Sequence, residues 1–192
     1  MKDRQKYIKR FFDLWFSIFV LVLCGWLIIL LIILSRFIIG GHGLFKQKRV
    51  GQFGELFVIY KIESMHIVPN QSSAFGDFLR KSKLDELPQL YNVFLGDMSF
   101  VGPRPDLIGF ADALEGEDRL ILEVKPGITG PASLYFLNEQ RLLDQVENAE
   151  KYNKEVIWPK KVELNLDYVK NYSFRKDIYY LLKTILFSKL SD

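Results

Sequence analysis

The 192-residue sequence predicts a mostly helical α+β protein in two parts. Residues 1–37 form a membrane-embedded helix with a basic flank, and residues 38–192 form a compact domain with amphipathic helices on the membrane surface. The first observation behind this is the stretch LWFSIFVLVLCGWLIILLIILS, Leu14 to Ser35, which carries no charge. The second is a remainder in which short extended runs alternate with helical spacing. The third is the C-terminal DIYYLLKTILFSKL, where aromatic and aliphatic residues surround Lys183 and Lys189, a pattern that suits a membrane-surface helix. An apolar fraction of 49% is enough for a core.

As a helix, the uncharged run is about 33 Å long at ~1.5 Å per residue, enough to cross a hydrocarbon layer. It is too long for the apolar part of a signal peptide, and no small-residue cleavage site follows it. Lys2, Arg4, Lys6, Lys9 and Arg10 precede it; Arg36, Lys46, Lys48 and Arg49 follow it. Basic flanks on both sides give no orientation for a spanning helix. They leave a spanning helix open and suit a re-entrant segment with both ends on one face, bent at one of its two candidates, Ser17 or Gly25, with Gly25 at its middle.

The net charge of +3 is modest, and its basic clusters lie beside the apolar run. That distribution suits anionic lipid headgroups and argues against nucleic acid, whose binders carry a basic excess over a whole face. A single cysteine, Cys24, excludes an internal disulfide and a thiolate metal site. His42 and His66 have no metal-ligand spacing and read as ordinary surface or core residues.

After the run, GGHGLFKQKRVGQFG reads as a basic, glycine-rich loop, and LFVIYKIESMHIV as an extended segment. Helical patterns follow over Gly76 to Leu84 and over Leu87 to Phe94, the latter behind Pro88. The stretches GDMSFVGPRPDL and KPGITGP have Gly and Pro too dense for regular structure. A helix is expected from Leu107 to Glu115, continuing in some form to Val124. From Asn138 the pattern is helical again, broken near Trp158-Pro159.

Chemistry concentrates in LRKSKLDELPQLYNVFLGDMSFVGPRPDL. Asp85 and Glu86 are adjacent acids behind Arg80, Lys81 and Lys83, set among Leu84, Leu87 and Leu90. Such a pair can hold Mg²⁺ and a diphosphate together, and a carboxylate can attack phosphorus to form an acyl phosphate. Pro103 and Pro105 clamp Arg104, whose planar fork fits phosphate oxygens. The glycines of KPGITGP offer backbone N–H groups to an anion only as a weak signal.

Together these segments resemble the bacterial sugar transferases, the small monotopic phosphoglycosyl transferases. The resemblance runs from near Ile8 through FKQKRVG, IYK, the long central stretch and KPGITGP to YVKNYSFRKDIYYLLKT. It implies transfer of a phosphosugar from a UDP-sugar to polyprenyl (undecaprenyl) phosphate with release of UMP, the first membrane step of a bacterial glycan pathway. It places a catalytic domain on the cytoplasmic face of the inner membrane, with downstream glycosyltransferases as possible partners. It implies Asp85 as nucleophile, Glu86 as its aid in Mg²⁺ or proton handling, and Lys61, Arg80 and Pro103-Arg104-Pro105 at the phosphates and nucleotide. Three places depart from the family pattern: Gly25-Trp26 stands for Ser-Pro, Glu63 stands where a base is usual, and Pro131-Ala132-Ser133 follows GITG. Glu63 motivates an alternative, a catalytically silent membrane-bound assembly partner.

Overall fold

The structure, a computed structural model, describes residues 1–65 and 73–187. His66 and Lys189 lie outside them. The apolar run and its basic lead form one helix, α1, from Asp3 to Ile39, about 55 Å long at ~1.5 Å per residue. It is long and apolar enough to cross a membrane. The helix continues through Gly25 and stops at Gly40, whose left-handed φ of 85° turns the chain while its N–H donates to the Arg36 carbonyl.

One face of α1 packs on the domain along both halves: Lys9, Asp13 and Ser17 are buried in the first, Ile28, Leu31, Ser35 and Ile39 in the second. The opposite face exposes Trp15, Phe19, Val22, Trp26, Ile29 and Phe37, the side a lipid phase would cover. Buried charge needs a partner, and here each has one. Lys9 Nζ lies 2.6 Å from Asp177 Oδ2, which also accepts from the Tyr172 hydroxyl. Asp13 Oδ1 accepts from Ser99 Oγ and the Phe100 N–H, both at 3.1 Å.

The stretch expected as a glycine-rich loop is mostly a strand. Its glycines sit at the ends, leaving Leu44–Val50 free to form β1, which pairs antiparallel with β2, Leu56–Ile62. The helix α2, Ala74–Lys81, begins at Ser73, whose Oγ accepts from the Gly76 N–H. The helix α3, Gln89–Leu95, follows Pro88 and ends at left-handed Gly96.

A second difference lies in the two Gly/Pro-dense stretches, which pair as short parallel strands: β3, Ser99–Val101, and β4, Gly127–Thr129. Their glycines serve close backbone approach: a Cβ on Gly127 would lie 2.1 Å from Gly102 N, and one on Gly130 2.2 Å from Gly102 O. The Gly127 N–H donates to Pro103 O and the Gly102 N–H to Thr129 O, so these amides are engaged in the sheet rather than offered to an anion. The expected helix between Leu107 and Val124 is instead two 3-10 segments, Ala111–Ala113 and Gly116–Glu123.

The remaining helices are α4 (Pro131–Tyr135), α5 (Glu139–Asp144), α6 (Ala149–Tyr152), α7 (Trp158–Lys170) and α8 (Phe174–Phe187). A π-turn at Asn153–Ile157 leads into α7, and Pro159 occupies its first turn. The main core joins Ile59, Leu90, Val93, Met98, Phe100 and Tyr168, with Phe12 and Phe16 of α1 packed against it.

Candidate active site

Asp85 and Glu86 occupy a single 3-10 turn, Leu84–Glu86, between α2 and α3. Lys83 enters it in the left-handed region (φ 57°), an uncommon conformation for a residue with a side chain. Leu84 and Leu87 pack beside Leu31, Ile62 and Leu79, which fixes the turn and buries both acids.

The two carboxylates have opposite surroundings. Glu86 Oε1 accepts from Lys61 Nζ at 3.0 Å and from Arg104 Nη2, and Oε2 faces Arg104 Nη1 at 3.5 Å. Burial alone would raise its pKa, but Arg104 and then Lys61 overcome this and hold it at about 2. Asp85 Oδ1 is buried and has no hydrogen-bond partner among the described residues. Burial, and then the negative charge of Glu86, raise the Asp85 pKa, with Lys61, Lys83 and Arg104 opposing.

Arg104 comes from the turn after β3, where Pro103 and Pro105 are buried and its own side chain stays 43% accessible. Two tethers set that turn: Asp13 holds β3, and the Arg49 Nη1 donates to Pro105 O at 3.4 Å. Arg80 Nη1 donates to Ser64 O at 2.6 Å while its other nitrogen pairs with Asp77.

The dyad is shared between two cavities. Asp85 lines one of about 410 Å³ together with Gln47, Arg49, Lys61, Glu63 and Arg80. Glu86 and Arg104 line another of about 490 Å³, whose remaining walls are mostly apolar. The structure therefore gathers Asp85, Glu86, Lys61, Arg80 and Arg104 around one turn, with Pro103 and Pro105 setting the arginine. Gly25 lies within α1, and among the described residues nothing beyond its own stretch of helix lies within 4 Å of where its Cβ would be.

Sequence reading passed over Arg49 and Asp106. Arg49 lines the Asp85 cavity with its Nε buried and unpartnered among the described residues. Burial and the nearby Arg104 lower its pKa. The FKQKRVG segment carried the signal, but three bases in a presumed loop gave no reason to single out one. Asp106 follows the Pro-Arg-Pro turn, and burial raises its pKa to about 6 against the pull of Lys161, Arg49 and Arg104.

Glu63 has a structural partner set of its own. Its Oε2 accepts from the Gly43 N–H at 3.0 Å, and a Cβ on Gly41 would fall 2.1 Å from the same oxygen. Ser35 Oγ donates to the Glu63 carbonyl. The residue clasps the end of α1 to the start of β1.

Mg²⁺ prefers one or two carboxylates plus phosphate oxygens. Both Glu86 oxygens already face cations, whereas the bare Asp85 Oδ1 fits such an ion. Among the described residues no group of three or more His, Cys, Asp or Glu is placed to hold a metal.

The sequence pattern of the bacterial sugar transferases matches residues 4–189. The chain is 36% identical to the uncharacterized sugar transferase EpsL of Bacillus subtilis (strain 168), over 93% of this chain and 85% of that protein. It is 32% identical to the undecaprenyl-phosphate galactose phosphotransferase of Salmonella typhimurium, over 95% of this chain and 40% of that one. It is 29% identical to the UDP-glucose:undecaprenyl-phosphate glucose-1-phosphate transferase of Escherichia coli (strain K12), over 94% of this chain and 40% of that one, so it spans about two fifths of these last two relatives. A match over nearly the whole length places the chain in the bacterial sugar transferase family.

Proposed function

We propose that this chain moves a phosphosugar from a UDP-sugar to undecaprenyl or a similar polyprenyl phosphate, through a covalent intermediate on Asp85, with release of UMP. Family membership makes it a phosphoglycosyl transferase; the observation that carries the mechanism is the contrast within the dyad. Asp85 is a buried carboxylate with a bare oxygen beside Arg49, Lys61 and Arg80, while Glu86 is committed to Lys61 and Arg104.

In the first step an Asp85 carboxylate oxygen attacks the β-phosphorus of the donor. The bond from that phosphorus to the bridging oxygen breaks, and UMP leaves with the bond's electrons. The cationic groups around Asp85 offset charge on the departing phosphate, the term that dominates phosphoryl transfer. In the second step a phosphate oxygen of the acceptor attacks the bound phosphorus, and the carboxylate of Asp85 is released. Mg²⁺, when bound, would neutralise phosphate charge, and Asp85 is the residue suited to hold it.

Glu86 acts on the site through others: it anchors Lys61 and Arg104 and raises the basicity of Asp85. Arg80, already shared between Ser64 O and Asp77, adds positive charge at the cavity wall. The placement of α1 supports a protein held on one face of the membrane, taken to be the cytoplasmic face of the inner membrane. Both ends of the helix are tied to the same domain, Asp13 to β3 and Ser35 to the Glu63 carbonyl.

The silent-partner alternative drew on Glu63. Its engagement with Gly43 leaves that residue with a role in the fold, which weakens the case for inactivity. A screen of UDP-sugars with undecaprenyl phosphate and Mg²⁺, read by UMP release, tests the proposal. UMP from the wild type and none from Asp85→Asn supports it; no UMP with any donor, or full activity in Asp85→Asn, overturns it.

A further inference from the structure

The cavity on the Glu86 side of the dyad differs in character from the one that holds Asp85. Its charged lining residues are Lys83, Arg104, Glu86 and Glu139, and Leu87, Ile128, Leu134 and Leu137 are among its apolar walls. Thr129 of β4 and Thr184 of α8 also line it and meet at 2.6 Å between their hydroxyl oxygens, joining the sheet to the C-terminal helix there. Tyr135 of α4, Leu142 of α5 and Leu137 between them are exposed, as are Leu182 and Leu186 of α8, and Leu137 also lines the cavity. The apolar lining is thus continuous with an exposed apolar surface.

We propose that this cavity takes the phosphate and first isoprene units of the lipid acceptor, with the phosphate at Lys83 and Arg104 and the chain leaving along α4, α5 and α8. The inference rests on the phosphoglycosyl transfer proposed above and adds where the second substrate enters. Charge sorts the two substrates between the two cavities. A UDP-sugar brings a diphosphate and a polar sugar, which match Arg49, Lys61, Arg80 and Gln47. A polyprenyl phosphate brings one phosphate on a long hydrocarbon, which matches a mostly apolar slot that also carries Lys83 and Arg104. At about 490 Å³ the slot holds only the head of such a lipid; the rest of the chain would lie against the exposed leucines and the bilayer. Asp85 lines one cavity and Glu86, the next residue, lines the other, so the two cavities meet at the dyad. A uracil ring in the apolar slot is the competing occupant.

Two measurements test this. Leu134→Asp and Leu137→Asp put a carboxylate where the chain would lie. Each should raise the KM for undecaprenyl phosphate about tenfold or more, against the UMP burst that the same variant gives with UDP-sugar alone. A geranyl phosphate bearing a diazirine on its terminal isoprene should label residues 131–143 of the wild type, so the test survives a variant that does not fold. An unchanged acceptor KM, a loss of the donor-only burst, or label elsewhere in the chain overturns the inference. Labelling of 131–143 by a uridine diazirine instead assigns the slot to the donor and likewise overturns it. Absence of any burst from the wild type with every UDP-sugar fails at the earlier step and identifies the transfer itself as wrong.

Discussion

Lys61 Nζ stands 3.0 Å from Glu86 Oε1, so the ammonium beside the proposed nucleophile is already held by its neighbour. With Arg104 on the same carboxylate, Glu86 organises two cations around a turn in which Asp85 is left bare. The charges are arranged before any substrate arrives, the condition under which electrostatic stabilisation is most effective.

Removing that carboxylate has a stability signature. The pKa of Glu86 is lowered from 4.5 to about 2, so its contribution is full above pH ~4.5 and disappears as pH falls through about 2. Glu86→Gln should cost about 2–4 kcal/mol at pH 7, since it also leaves Arg104 and Lys61 unpaired. Denaturant unfolding at a series of pH values should find the gap between variant and wild type closing toward pH 2.

The same substitution should move the pH profile of Asp85. A raised pKa keeps Asp85 protonated, and inactive as a nucleophile, to a higher pH than an ordinary aspartate. The acid limb of donor-only UMP release should therefore lie above pH ~3.9 in the wild type. In Glu86→Gln the neighbouring negative charge is gone and the cations are no longer neutralised, so the limb should shift to lower pH.

Arg49 should behave as a donor-binding residue whose shape matters. Arg49→Ala is expected to raise the donor KM about tenfold to a hundredfold, and Arg49→Lys to recover little of it, because an ammonium lacks the planar fork. Initial rates of UMP release across UDP-sugar concentrations measure both.

Packing at the strand pair leaves no room for a side chain on Gly127. Gly127→Ala places a Cβ 2.1 Å from Gly102 N, and the backbones must part. A loss of about 2 kcal/mol or more is expected, with Arg104 displaced, so thermal unfolding and acceptor KM should both worsen.

Much of this was legible in the sequence, for local reasons. An uncharged run of 22 residues has few outcomes other than a long apolar helix, and α1 follows. The acids, Pro88 and the Pro-Arg-Pro turn lie within about 20 residues of one another, so their spacing carried their meaning. What stayed hidden depends on pairing at a distance. β3 and β4 have three residues each, and only the partner 28 positions away makes a strand of either. The Lys61–Glu86 contact spans 25 residues. Glu63 reads as a misplaced acid until Gly43, 20 residues earlier, is seen to donate to it.

The re-entrant path proposed for α1 rests on its two docked ends. Single cysteines at Lys2 and His42, in a Cys24→Ser background, should both react with a membrane-impermeant thiol reagent from the same face of a sealed vesicle. Labelling from opposite faces would show a spanning helix.

The central claim is that Asp85 carries the phosphosugar. Mixing the protein with a UDP-sugar, Mg²⁺ and no acceptor, followed by intact-protein and peptide mass measurement, addresses it directly. The account predicts UMP in step with a gain of one phosphosugar mass, mapped to Asp85 and discharged by undecaprenyl phosphate. UMP that forms only after the acceptor is added, with no adduct at any time, would contradict it.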